Sequence, residues 1–357
     1  MNKALCLCCA FLWGCTKGSA TPPDGRGPAN RSFSITEIAN LDDSSQTVLA
    51  MPGGISVRGD GSLLVADFSD KNIKLYDPAG RRTGTVGAAG RGPGEFASLF
   101  SAATYGDSIV GYDVGNGLTV FSPEGRYARL LKVRDGDPRE VMAVRVLDDS
   151  LFLLVGAPMG GVRRDLLAII RPDGTRVSSF FNQSRYFEGR RELSQYVGVE
   201  ADGRGGVVYA ALVGGDSVYA FDYAGHQLAA APADPRRPLA TTRALLAANH
   251  DRPRKPNGEW AFHNNREVFR VVALDSATAV LHVAPYNTQG GTDLVEGGTL
   301  LAVSLVNGQL RHLARTEAGA GLYGRDRAGN ALLIGYADAE HEHYRVSRLS
   351  LAPRGGR

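Results

Sequence analysis

Two short stretches repeat a pattern that suits a cation. DFSDKN runs from Asp67 to Asn72, and DVGN runs from Asp113 to Asn116. Carboxylate and amide oxygens at the two ends of a short loop are the hard ligands Ca²⁺ prefers. The same residue types also bond nearby backbone amides and shape turns unaided. Asp216, in VGGD, and the triplet His341-Glu342-His343 extend the set of candidate metal ligands. On a strand, His341 and His343 would point to one side. The HExxH zinc pattern is absent, and the equivalent loop APMGGVRR carries no acidic residue. A complete metal ring is therefore not formed, and no cofactor is firmly indicated. Ca²⁺ is the candidate that remains.

Other residues suit recognition. APMGGVRR carries Arg163 and Arg164, and NQSRYFEGRRELSQ carries Arg185, Tyr186 and Arg190. A long polar segment ending RPRKPNGEWAFHNNREVFR supplies Arg254, Trp260 and His263. Arg, Trp and Tyr are enriched where binding energy concentrates. These residues suit an anionic or carbohydrate-like ligand, or an envelope protein. The alternative is a solvated loop with incidental charge. GAAGRGPGEF, residues 87–96, looks like a phosphate loop, but no helix-opening Lys-Ser/Thr follows it. Its glycines fit a sharp crossing of the chain better, with Phe96 capping apolar space.

The elements that must position these residues are strands. NIKLYDPAG, GLTVFSPEG, LLAIIRPDG, SVYAFDYAG and LLAVSLVNG each alternate apolar residues and stop at a glycine turn. Those glycines are Gly80, Gly125, Gly174, Gly225 and Gly308, spaced 45, 49, 51 and 83 residues apart. A second strand pattern precedes each one, and a short innermost strand precedes that pair in every unit but the one ending at Gly125. The first three spacings match one four-stranded propeller blade each, and the last matches a blade plus an insertion over about 231–267. TTRALLAANH (241–250) within it has the pattern of a short helix. A sixth set, NALLIGY and HYRVSRLSL, lacks an outermost strand, and SFSITEIANL (32–41) is left over at the other end. The predicted fold is all-β: a six-bladed propeller over 32–353, closed by this early strand in the last blade. Closure is required because each blade buries its faces only against its neighbours.

VADFSDKNIKLYDPAG followed by TVGAAGRGPGEF resembles an NHL repeat. The chain is similar to six-bladed propellers of NHL and TolB-like type, closely over 53–125 and only in strand rhythm beyond. The resemblance implies ligand loops on one face around a central channel. It also admits a rival reading, since some such propellers are lyases or lactonases with a divalent metal at the channel mouth. Asp67, Asp113, Asp216, His341 and His343 would then be the metal ligands.

The first residues point to export. Lys3 precedes an apolar run from Ala4 to Trp13, too short to span a bilayer. All four cysteines lie in residues 6–15, which rules out a disulfide framework or Cys-based site in the folded body. Leu12-Trp13-Gly14-Cys15 resembles a bacterial lipobox, which implies cleavage after residue 14 and acylation of Cys15; the alternative is an ordinary secretory peptide cut near Gly18-Ser19-Ala20. Thr16 after the cysteine favours the outer membrane, on the same resemblance. Residues 15–31 are rich in Gly, Pro and polar residues and suit a flexible tether. Net charge is +3, too small to suggest nucleic acid. The leading expectation is a monomeric binding module at the cell envelope, attached to membrane only by its lipid, with a propeller-type lyase or lactonase-like hydrolase as the alternative.

Overall fold

A computed structural model describes residues 31–41, 49–113, 116–131, 141–148, 150–156, 165–182, 199–212, 217–236, 266–285, 297–337 and 343–353. They form six four-stranded antiparallel sheets and one two-residue parallel pairing. Blade one comprises Pro52–Val57, Leu63–Asp67, Asn72–Tyr76 and Arg82–Val86. Blade two comprises Leu99–Tyr105, Ser108–Asp113, Gly117–Phe121 and Tyr127–Leu131. Blade three comprises Val141–Leu147, Leu151–Gly156, Asp165–Ile170 and Arg176–Asn182. Blade four comprises Val199–Arg204, Val207–Leu212, Ser217–Asp222 and Gln227–Pro232. Blade five comprises Arg266–Ala273, Thr278–Pro285, Thr299–Val306 and Gln309–Glu317.

Blade six closes the ring. Gly321–Arg325, Ala331–Tyr336 and Tyr344–Pro353 are followed in space by Arg31–Leu41, from the other end of the sequence. Ile35 faces Leu349 and Ala39 faces Val346, with a bulge between Glu37 and Ala39. This strand begins one residue before the expected 32. The seam between last and first blades is a continuous apolar cluster: Leu41, Ile334 and Val346 pack with Ile55, Leu63 and Tyr76. An open ring would leave both surfaces wet, so the early strand does as much as any blade to hold the fold.

Burial follows position within a blade. Leu63–Asp67 and Gly117–Phe121 are buried at every residue, because their sheets are covered on both faces. Outermost Tyr127–Leu131 is exposed along most of its length. The third and fourth strands of blades one to four turn alike. Each turn glycine donates its N–H to the carbonyl three residues back, as Gly80 does to Asp77. Gly80 has φ +85°, and a Cβ there would run into the Asn40 carbonyl of the closing strand. In blade five Asn307 and Gly308 both take positive φ, the geometry of a two-residue hairpin turn.

GAAGRGPGEF crosses from blade one to blade two, as its glycines suggest. Phe96 is fully buried among Leu64, Ile73, Ile109 and Phe121, so it does fill the space between two blades. Gly87, at φ +76°, lies against its ring. The Glu95 carboxylate accepts from the Gly92 amide at 2.7 Å. The loop's own side chain thus occupies an amide that a phosphate would need.

Candidate functional site

The first strands of the six blades touch one another around the axis and enclose a channel. Each starts at the edge where the second strand ends, as Pro52 faces Asp67 and Leu99 faces Asp113. The Asp67 carboxylate accepts from the amides of Ala50 and Met51, just before the first strand of its blade. It also accepts from Ser69 and Asp70 and pairs with the fully buried Lys74 at 2.6 Å. Asp113 likewise accepts from the amides of Ala97 and Ser98 and from the Asn116 side chain. Both carboxylates are fully buried. They bind the turn beside them and latch the crossing segment to its blade.

Among the described residues, no three His, Cys, Asp or Glu side chains stand together as metal ligands would. Asp67 and Asp113 belong to separate blades, and His343 is exposed at the start of the third strand of blade six. Asp216 and His341 lie outside the described residues. So do Cys15, Arg163, Arg164, Arg185, Tyr186, Arg190, Arg254, Trp260 and His263, with the signal segment, the tether and the helical pattern at 241–250.

The chemistry visible in the structure is inside the channel, in residues the sequence reading passed over. A cavity of about 280 Å³ is lined by the first strands of all six blades and the turns below them. One wall, from blades one and two, is small and uncharged: Gly53, Gly54, Ser56, Ser101, Ala103 and Thr104. The opposite wall is ionic. Five arginines (145, 204, 270, 325 and 327) and three aspartates (148, 202 and 326) line the cavity. Gly54 is buried, yet a Cβ built on it would meet nothing within 4 Å.

Two levels can be separated on the ionic wall. At the lower one, Arg325 reaches from blade six across three other blades. Its guanidinium pairs with Asp202 at 2.6 Å. It also donates to the carbonyls of Ala273 at 3.1 Å and of Val146 and Gly203 at 3.0 Å each. Asp202 in turn accepts from the amides of Gly203 and Ala273. First-strand edges are unpaired on the channel side, and Arg325 supplies donors to three of them. Arg204 and Arg327 continue this role on the turns, donating to Leu274 and Arg327 carbonyls and to Gly106 respectively.

The upper level is formed by Arg145, Glu200, Arg270 and Tyr323, each earlier in its strand than the partners of Arg325. Glu200 stands between two guanidiniums. Arg270 approaches one carboxylate oxygen at 3.1 Å, and Arg145 approaches the other at 3.6 Å. The Arg270 guanidinium also lies 5.8 Å from the Tyr323 ring centre. Arg145 and Arg270 each leave 22% of the side chain exposed, and both line the cavity, which places them within reach of a bound molecule. Glu200 is not one of the lining residues. Burial holds Arg145 below the usual arginine range, with Glu200 opposing that shift and Arg270 adding to it. Tyr323 is pushed up to about 12 by burial and so stays a neutral hydroxyl at physiological pH.

This arrangement can hold an anion. Two guanidiniums meet at one carboxylate, and the Arg145 guanidinium has only long contacts, in a space where water screens little. A signal for these residues was present in the sequence. VMAVRVL, VFRVVAL and AGLYGRD each place an arginine inside an otherwise apolar first strand, and YVGVEADGR places Glu200 and Asp202 in the fourth. A charge in a strand buried on both faces needs a partner.

No protein-family model matches the sequence, and no curated protein matches it. Solved structures do share the fold. One is a member of the DUF4221 family from Bacteroides vulgatus, with TM-score 0.57 and 11% identity, covering 91% of this chain and 99% of that one. Another is a candidate exported protein from Bacteroides fragilis, with TM-score 0.57 and 10% identity, covering 92% of this chain and 97% of that one. At such identities the likeness is one of architecture.

Proposed function

We propose that the chain is an exported binding module that takes a small ligand into the central channel of its propeller. The observation that carries this reading is the cavity itself: about 280 Å³, with one ionic and one uncharged wall, on a rigid closed ring. Rigid scaffolds with a few converging polar groups are where small molecules bind. The volume is near the lower limit for such pockets, so the ligand is small. Export is supported by the short apolar run before Cys15 and by the shared fold of the Bacteroides fragilis protein. The lipobox-like Leu12–Cys15 supports attachment to the outer membrane, and NHL kinship rests on residues 53–125. Arg163, Arg164, Arg185, Tyr186, Arg190, Arg254, Trp260 and His263 belong to the same proposal as contacts for an envelope partner or for the outer part of a ligand.

A steric block tests the channel directly. Gly54→Phe projects a ring into open space without displacing backbone, because nothing lies within 4 Å of the new Cβ. The full chain is incubated with an envelope extract, separated from unbound material and examined by native mass spectrometry. Wild type should retain a small molecule that the Gly54→Phe variant does not. Equal retention by both would remove the channel from consideration.

A further inference from the structure

We infer that the channel ligand is a small organic carboxylate on a compact uncharged body, anchored by Arg145. The inference rests on the channel reading above and adds the chemical class. Two features of the cavity lead to it.

The first is the state of Arg145. Its guanidinium has five N–H donors in a fixed fork. The contacts they make are long: the Val144 carbonyl at 3.4 Å and Glu200 at 3.6 Å. Arg325, at the neighbouring level, makes four contacts between 2.6 and 3.1 Å. An enclosed guanidinium with poorly filled donors and a face on a cavity is set to receive an oxyanion, and a planar carboxylate matches the fork.

The second feature is the opposite wall. Gly53, Gly54, Ala103, Ser56 and Thr104 present small groups and no charge. Ser56 and Thr104 hydroxyls stand 3.4 Å apart across the blade-one to blade-two boundary. That wall suits the uncharged remainder of a small acid and offers it a hydroxyl.

Glu200 acts as a positioning residue: it lies against both guanidiniums and competes with a bound anion for Arg145. This makes an outcome of opposite sign available. Arg145→Gln removes the anchor, and a monocarboxylate should bind about tenfold more weakly. Glu200→Gln keeps both donors and removes the competing anion, so the same acid should bind more tightly than to wild type. A purely architectural ion cluster would be loosened by both changes and would show no gain.

The experiment titrates the full chain and both variants, in low-chloride buffer, with acetate, propionate and benzoate, and with inorganic phosphate and sulfate. Calorimetry gives affinity, and circular dichroism checks the fold. Expected is binding of at least one monocarboxylate, weaker in Arg145→Gln and tighter in Glu200→Gln. Tighter binding of phosphate or sulfate than of every carboxylate would overturn the inference. Equal carboxylate affinity in wild type and Arg145→Gln, or no binding of any probe to wild type, would overturn it too. If Arg145→Gln does not fold, the Glu200→Gln affinity decides alone, and absence of a gain rejects the idea. Retention of the native ligand by Gly54→Phe would sink the channel reading. Its loss there, with probe binding indifferent to Arg145, would sink only the carboxylate.

Discussion

Arg325 and Arg145 face the same cavity at adjacent levels, and they differ in how completely the protein satisfies them. Arg325 spends its donors on Asp202 and on three carbonyls from blades three, four and five. Among the described residues, Arg145 meets only its neighbour's carbonyl and half of a shared carboxylate, both at long range. A guanidinium saturated by its own chain has nothing left to offer a ligand, so it serves the fold. One that is enclosed and underfilled costs the fold something, and a binding role accounts for that cost. Stability and binding should therefore separate along this pair.

The largest effect is expected at the saturated end. Arg325→Met leaves the Asp202 charge buried without its partner and strips donors from three blades at once. The loss should be about 3–5 kcal/mol, as for other broken buried pairs, measured by chemical denaturation. A loss below about 1 kcal/mol would mean that the cross-channel strut contributes little, and the contrast with Arg145 would collapse.

The latch in blade two comes next. Asp113→Ala removes the acceptor for the Ala97 and Ser98 amides. Each buried donor left without a partner costs about 1–3 kcal/mol. Asp113→Asn keeps one acceptor oxygen and should lose less than the alanine variant. Equal losses would show that charge, not hydrogen bonding to the crossing loop, is what the latch needs. Neither change should alter the carboxylate affinity, because Asp113 is saturated in the way Arg325 is.

The two kinds of residue also differ in how far the sequence exposed them. Six blades could be read because alternation and glycine turns are local: nine or ten residues suffice to recognise NIKLYDPAG or GLTVFSPEG. The closing strand followed from counting, since blade six lacked one. Asp67 was legible as a turn former through its bonds to Ser69 and Asp70, two and three residues away. Its reach back to Ala50 and Met51 was not, because that contact depends on how a blade meets its crossing segment. The channel cluster was the least visible. Arg145, Glu200, Arg270 and Tyr323 come from four blades and meet only when the ring closes. An isolated arginine in VMAVRVL states that a partner exists without saying where. The loop residues singled out for their arginines and aromatics lie outside the described residues.

The smallest stability effect belongs to Arg145. Arg145→Met replaces an enclosed charge with an apolar chain of similar length. The lost contacts are two long ones, while the burial that holds this guanidinium below the usual arginine range is relieved. Glu200 keeps Arg270 at 3.1 Å as its counterion, so no isolated carboxylate is left behind. The net change in unfolding free energy should fall within about 1 kcal/mol of zero, with stabilisation as acceptable an outcome as loss. The same substitution should weaken carboxylate binding about tenfold or more. A large loss of stability here would place Arg145 with Arg325 as a strut, and the long distances around it would then need another explanation. A near-zero change joined to weakened binding would mean that the fold tolerates this residue and the ligand requires it.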